Sequence, residues 1–268
     1  MKKIFIVLIL SIFMQLPYFS KNFTPFCVAK TITGEVKKET TKNTNQVYDS
    51  NTNTPIEGVI IKIPAKDYVT ATKKDGSFKL QTKINSPTIM SLEKSGYKPY
   101  SMTISSNPKT PISIGIEKTT PKDIIVETDM IHIGDNSFSE RSANADDFSL
   151  SSKGAFYSKD FNIKSLKQNE ELYLIIGSII GIDTIEAQRL GQSHVLTAYS
   201  SPPELFFNGN KIAEIKINGD NQKIKIPKSL IKQNLLNNIT LKTGKNLFKT
   251  NYVDYDDIEF TNLLFEIQ

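Results

Sequence analysis

Between residues 59 and 116, apolar and polar positions alternate in short runs. Val59, Ile61 and Ile63 share one side of an extended segment, with Ile60 and Lys62 on the other. Val69 and Ala71 alternate with Thr70 and Thr72, and Phe78 and Leu80 continue the inward face. Met102 and Ile104 flank Thr103, while Ile112, Ile114 and Ile116 alternate with Ser113 and Gly115. A period of two puts every second side chain on the same face of a strand, and Pro64 closes the first run because it cannot donate to a ladder. Ile89, Leu92 and Tyr97 add further core residues, and no 3.6-residue period emerges in this half. The pattern predicts short antiparallel strands separated by Gly, Pro and Asn clusters. The Asp75-Gly76 dipeptide suits a tight hairpin joining the runs on either side of it.

The second half continues in the same manner. Asp123 to Ile133 reads as a strand that either half could take. Leu172 to Ile182 is apolar, with Gly177 and Gly181 inside it. It is too short to cross a bilayer and rich in β-branched residues, which predicts a buried strand and turn. Asn208-Gly209, between Leu205-Phe206-Phe207 and Lys211-Ile212-Ala213, is the strongest hairpin signal in the chain. A final strand is expected at Ile258 to Ile267, after an acidic turn at Asp254 to Asp257, and one short surface helix at Asp183 to Leu190. Phe138, Phe148, Phe156, Phe161 and Phe207 are expected to fill a second core. The expected fold class is therefore all-β: two antiparallel β-sandwich domains in tandem after an N-terminal signal segment. The boundaries are 1–29 for the signal peptide, 30–118 for the first sandwich, 119–128 for a linker and 129–268 for the second.

The linker rests on the composition of Thr119-Thr120-Pro121-Lys122-Asp123. The leader rests on Lys2-Lys3, an apolar run from Ile4 to Met14, and Cys27-Val28-Ala29, which places cleavage after Ala29. Phe26 stands where a lipoprotein signal needs a small residue, and the competing reading is a retained membrane anchor. Membrane contact is expected only through that segment, if it is uncleaved. The expected location is secreted, periplasmic or cell-surface.

Charge changes the picture little. The net charge is +5 over 268 residues, with lysines dispersed rather than clustered. This argues against nucleic acid as a partner and suits polar strand faces and guarded sheet edges. The single cysteine allows no internal disulfide and no cysteine-based metal cluster. His132 and His194 lie far apart, so a zinc site would need a carboxylate-heavy ligand set. His132, between Ile131 and Ile133, reads as an ordinary strand residue, and His194 as part of a polar connection.

Two resemblances add to this reading. Pro55-Ile56-Glu57-Gly58-Val59 with Asp75-Gly76-Ser77-Phe78 and Ser95-Gly96-Tyr97 resembles the carboxypeptidase regulatory-like family, over about Ile32 to Lys118. The resemblance implies a small transthyretin-like sandwich of carbohydrate-binding-like fold. The family's opening signature, here Thr33-Gly34-Glu35-Val36, is separated from the Pro-Ile turn by a polar stretch, Lys37 to Gln46. Leu205 to Ala213, followed by Ile224-Lys225-Ile226-Pro227, Leu230 and Asn238-Ile239, resembles galactose-binding-like jelly rolls over about Met130 to Gln268. That resemblance implies a domain of the kind that often binds glycans. A shared fold hosts many functions, so neither likeness names a ligand.

Catalytic motifs are missing. Gly191-Gln192-Ser193-His194-Val195 lacks the closing glycine of a nucleophile elbow, and no phosphate-cradling loop or His-Glu-x-x-His is present. The expected answer is a protein that is not an enzyme. A glycoside hydrolase stays open as an alternative, because it needs just two acids held about 5–9.5 Å apart. Asp254, Asp256 and Asp257 form a candidate structural calcium site, since alternating carboxylates in a turn suit a hard cation; the competing reading is a solvated acidic turn. No other cofactor is expected. Tyr157, Tyr199, Tyr252 and Tyr255 are the candidate ligand-binding aromatics, to be weighed against packing at a sandwich edge and against the absence of tryptophan. The function expected from the whole is a secreted or cell-surface non-catalytic protein binding glycan through its second sandwich. The alternative partner is another component of the cell envelope, bound in a structural or assembly role.

Overall fold

The computed structural model describes residues 44–138, 141–143, 148–195 and 199–268; the expected leader at 1–29 and the segment Thr33-Gly34-Glu35-Val36 lie outside the described residues. The first half contains β1 (Asn45–Asp49), β2 (Ile60–Ile63), β3 (Tyr68–Ala71), β4 (Ser77–Phe78), β5 (Thr88–Glu93), β6 (Tyr100–Ile104) and β7 (Ser113–Ile116). One sheet runs β4-β1-β7 and the other β3-β2-β5-β6. Val47, Phe78, Ile114 and Ile116 from the first sheet meet Ile61, Ile63, Met90, Leu92 and Ile104 from the second, and together they form one core. β1 and β7 pair in parallel, and the other pairs in this half are antiparallel.

The expected hairpin at Asp75-Gly76 is corrected. Gly76 does take a left-handed φ of 71°, and its N–H closes a turn on Lys73 O at 2.8 Å. The strands on either side do not pair with each other: β3 lies against β2, whereas β4 crosses to β1. The turn is a corner between two sheets, held from the far side by Val47 N–H donating to Gly76 O at 2.9 Å.

The second half contains β8 (Asp123–Glu127), β9 (Ile131–Ile133), β10 (Phe156–Asn162), β11 (Leu172–Ile180), helix α1 (Ile185–Arg189), β12 (Glu204–Phe207), β13 (Asn210–Glu214), β14 (Gly219–Ile226), β15 (Leu236–Lys242) and β16 (Ile258–Ile267). The sheets run β10-β15-β12-β13 and β14-β11-β16-β8, with β9 also on β16. Asn208 and Gly209 both take positive φ, 49° and 79°, in the expected hairpin between β12 and β13. Thr184 caps α1 through its hydroxyl, which accepts from Ala187 N at 3.1 Å. The segment read as a linker contains β8, whose residues pair with Leu263 to Glu266 of β16.

Of the five phenylalanines expected in the second core, Phe161 and Phe207 lie there, Phe161 stacked on Phe265 and Phe207 edge-on to it. Phe156 is 57% exposed on the outward face of the edge strand β10, and Phe138 is also exposed. Phe148 packs beside Ile89, Met130 and Ile180, in a small cluster that bridges β5 and β11.

The described residues fold as one compact unit. The outer face of β5–β6 lies against β11, β14 and β16, so β16 is buried on both faces over Ile258 to Phe265. Small polar side chains meet there: Thr88, Ser91, Ser101, Ser178, Thr261 and Asn262 are all buried. Asp220 ties the halves together, accepting from Thr103 N at 2.9 Å, Thr103 Oγ1 at 2.8 Å and Ser178 Oγ at 2.7 Å. Its carboxylate takes up an outward N–H of the edge strand β6 that would otherwise be open to another chain. Gly177 makes the close approach possible, because a Cβ there would stand 2.5 Å from Ser101 Oγ and 2.6 Å from Asn262 Cβ.

Gly177→Ala should therefore destabilise the protein by about 1–3 kcal/mol through overpacking, read as a fall in Tm. Adding Ser101→Ala should recover part of the loss by removing the nearer obstruction. Full additivity of the two changes would show that the strain lies elsewhere.

Candidate ligand-binding cleft

At one end of the second sandwich, the loop between β15 and β16 folds back on itself. Asn246 N–H donates to Asp254 O at 2.8 Å, and Lys245 bridges to Tyr255. The segment before β12 stitches this fold to the body: Ser201 N–H donates to Lys245 O at 2.8 Å, and Leu247 N–H to Tyr199 O at 2.7 Å. The result is a cleft of about 490 Å³, lined by Asp183, Asp254, Tyr255, Asp256 and Asp257, with Phe138, Phe248, Arg141 and Lys249 among its other walls.

The four carboxyl groups differ in how they are held. Asp257 Oδ1 accepts from His132 Nε2 at 2.8 Å and from Asn136 N at 2.9 Å, and its Oδ2 accepts from Ser137 N at 3.2 Å. It passes within van der Waals reach of Gly134, where a Cβ would lie 2.3 Å from Asp257 Oδ1. Asp254 Oδ2 accepts from Asn246 Nδ2 at 2.9 Å. Asp183 accepts from Ser142 Oγ at 2.6 Å and Ala143 N at 2.8 Å, and its own N–H donates to Asp256 Oδ2 at 3.1 Å.

Burial raises the Asp183 carboxyl above the ordinary aspartate range, against hydrogen bonds from Ser142 and Ser193. Asp256 rises further, first through burial and then through the neighbouring Asp183 charge. A cleft walled by like charges thus lowers its repulsion by holding a proton on Asp256 to higher pH than an ordinary aspartate would. His132 is raised as well. Burial opposes its charge, but hydrogen bonds to Asp257 and to Leu150 O outweigh that cost.

The residues singled out by sequence part company here. Asp254, Asp256 and Asp257 do lie together, yet each is engaged by protein groups. Among the described residues no cluster of three or more His, Cys, Asp or Glu side chains is arranged to hold a metal ion. Tyr255 lines the cleft, with its N–H donating to Asp135 Oδ2 at 2.8 Å. Tyr199 packs on Phe248 with ring centroids 5.4 Å apart, and Tyr252 is exposed on the same loop, its hydroxyl 2.9 Å from Lys249 Nζ. Tyr157 is elsewhere. It lies within β10, edge-on to Phe260 at 5.5 Å, with its hydroxyl on Glu127, so its ring packs against the core rather than standing in a loop. His132 lies in strand β9, as expected, and is buried there as the partner of Asp257.

Asp183, Asn246 and Phe248 escaped the sequence reading. Asp183 carried a signal, as the first charge after the apolar run Leu172 to Ile182. Chemically the cleft offers carboxyl and amide groups at its base and aromatic rings at its rim. That combination suits hydrogen bonding to a hydroxylated ligand that also has an apolar face. No protein-family model matches this chain, and no curated protein matches it by sequence.

The sign of the His132 shift fixes a pH response. A folded-state value above the ordinary imidazole value stabilises the fold fully below about pH 6.5, and that contribution is lost as pH rises through the folded value. Asp256 acts in the same direction from the ordinary aspartate value upward. Thermal melts should show Tm falling as pH rises above about 6.5. His132→Gln should lower Tm at pH 6 and flatten that limb. An unchanged slope in the variant would remove His132 from this role.

Proposed function

We propose that this is a non-catalytic binding protein of the secreted or cell-surface class, and that the loop cleft takes a glycan. The observation that carries the reading is the cleft itself, with carboxyl groups below and Phe138, Phe248 and Tyr255 at its walls, the first two exposed. Sugars present hydroxyl groups at their edges and an apolar face, and this lining complements both. The likeness of the second half to galactose-binding-like jelly rolls and of the first to carboxypeptidase regulatory-like sandwiches supports it. The basic and apolar leader-like segment supports a place outside the cytosol. Tyr199, Tyr252 and Tyr255 remain the tyrosines proposed for the ligand, together with Phe248.

A second reading is favoured by one feature of the same loop. Leu247, Phe248, Tyr252 and Val253 are all more than half exposed, a grouping that suits docking of a cell-envelope protein in a structural or assembly role. A glycoside hydrolase at this cleft would use the raised carboxyl of Asp256 or Asp183 as its general acid, with an ionised carboxylate of the same lining as its partner.

On a glycan array, the full chain should bind at least one glycan above background. Tyr255→Ala and Phe248→Ala should each weaken that binding about tenfold, roughly 1.4 kcal/mol, while Tyr157→Phe should leave it unchanged. An array with no signal, together with pull-down of one defined protein, would favour the docking reading. Turnover of a glycan lost in Asp256→Asn would favour the enzyme.

A further inference from the structure

A second cleft, of about 450 Å³, lies where β6 and the end of β7 approach β11, β14 and β16. Its floor departs from regular sheet. β11 pairs with β16 through Ile176 with Leu263 and Ser178 with Thr261, and with β14 through Ile176 with Gln222 and Ser178 with Asp220. Gly177 is passed over on both sides, and the residues flanking it there, Asn262 and Asn221, take left-handed φ values of 58° and 52°. Irregular strand positions of this kind recur where a sheet meets a ligand.

Asn262 adds an independent observation. It lines the cleft and is 2% exposed, yet neither Nδ2 nor Oδ1 has a hydrogen-bond partner. Native proteins seldom leave a buried amide in this state without a water or ligand to meet it. The charged groups around it are already served. Lys98 Nζ is 2.6 Å from Glu266, 3.2 Å from Glu117 and 3.4 Å from Asp123, and Lys223 Nζ donates to Gln268 at 2.7 Å. What the cleft lacks is one acceptor and one donor side by side. A carboxylate would leave Oδ1 unmet, and a cation would leave Nδ2 unmet.

We propose that this cleft is a second binding site, selective for an uncharged polyhydroxy ligand of single-sugar size. Two adjacent hydroxyl groups give and take the hydrogen bonds that Asn262 lacks, its amide turning about χ2 to face the cleft. Pro99, Ile116 and Leu264 supply apolar surface for the ring. The site is separate from the loop cleft and does not rest on the glycan reading given to it.

The test is a ¹⁵N-resolved NMR titration of the chain with glucose, galactose, mannose and N-acetylglucosamine, with acetate and ammonium as charged controls. At least one sugar should shift the Asn262 side-chain amide and the Gly177 backbone amide saturably, and the controls should not. Asn262→Gly, which suits the left-handed backbone, should keep the spectrum of the fold and weaken binding at least about tenfold. Pro99→Ala, on the half-buried wall away from Asn262, should also weaken binding and guards against a folding failure. Silence at Asn262 with all four sugars would assign the cleft to water alone and overturn the proposal, as would shifts that persist in both variants. Shifts confined to Tyr255 and its neighbours would support the loop cleft and overturn this one.

Discussion

The architecture depends on how closely two sheets can approach when hydroxyl and amide side chains share the seam with one small apolar cluster. The outer surface of β5–β6 rests on that of β11–β16 through hydroxyl and amide side chains, with Gly177 leaving the space that Ser101 fills. An ordinary sandwich leaves its outer faces to water. Here two of the four sheets lose that water, and their polar groups must find partners within the protein. Asp220 is the principal one, serving Thr103 across the seam and Ser178 on its own sheet. Lys98 does the same at the seam's edge with carboxylates from both halves. Such a contact is specific because its hydrogen bonds demand one registration, whereas an apolar contact would tolerate sliding.

This constraint also positions the loop cleft. Because β16 is gripped by β8, β9 and β11, the turn that precedes it is fixed at its C-terminal end. Its other end is fixed by β15 and by the bonds to Ser200 and Ser201. Four carboxyl groups are thereby gathered in a protein whose net charge is positive. They coexist because their environments differ: one is paired with His132, one accepts from an amide, one accepts from a hydroxyl and a backbone N–H, and one is held above the ordinary aspartate range by burial.

Much of this was legible in the chain. Alternation at Val59 to Ile63 and at Ile112 to Ile116 marks strands with one face on a core, and Asn208-Gly209 states its turn outright. The short helix expected within Asp183 to Leu190 forms as α1. The partners of strands were less legible. Asp75-Gly76 carries turn chemistry that is silent on whether its flanks pair or part, and the strand expected from Asp123 carries no local mark of its pairing with β16. Tyr157 and Phe156 adjoin in one strand and face opposite ways, so polarity alone misplaces both. The seam between the halves was invisible, because serine, threonine and glycine give the same hydropathy signal on a wet face as on a buried one. The gathering of Asp183 with the acidic turn joins residues some seventy positions apart, beyond any local pattern.

The position of β16 in its sheet has a consequence for biosynthesis. β8, β9, β11 and β14 all emerge from the ribosome before it, and three of them take it as a direct neighbour. Until residues 258–267 appear, that sheet has no centre, and the nascent polypeptide carries unpaired edges. Closure of the second half is thus deferred to the end of translation of this segment. A ribosome that stalls earlier releases a product unable to close that sheet, however well its first half has folded.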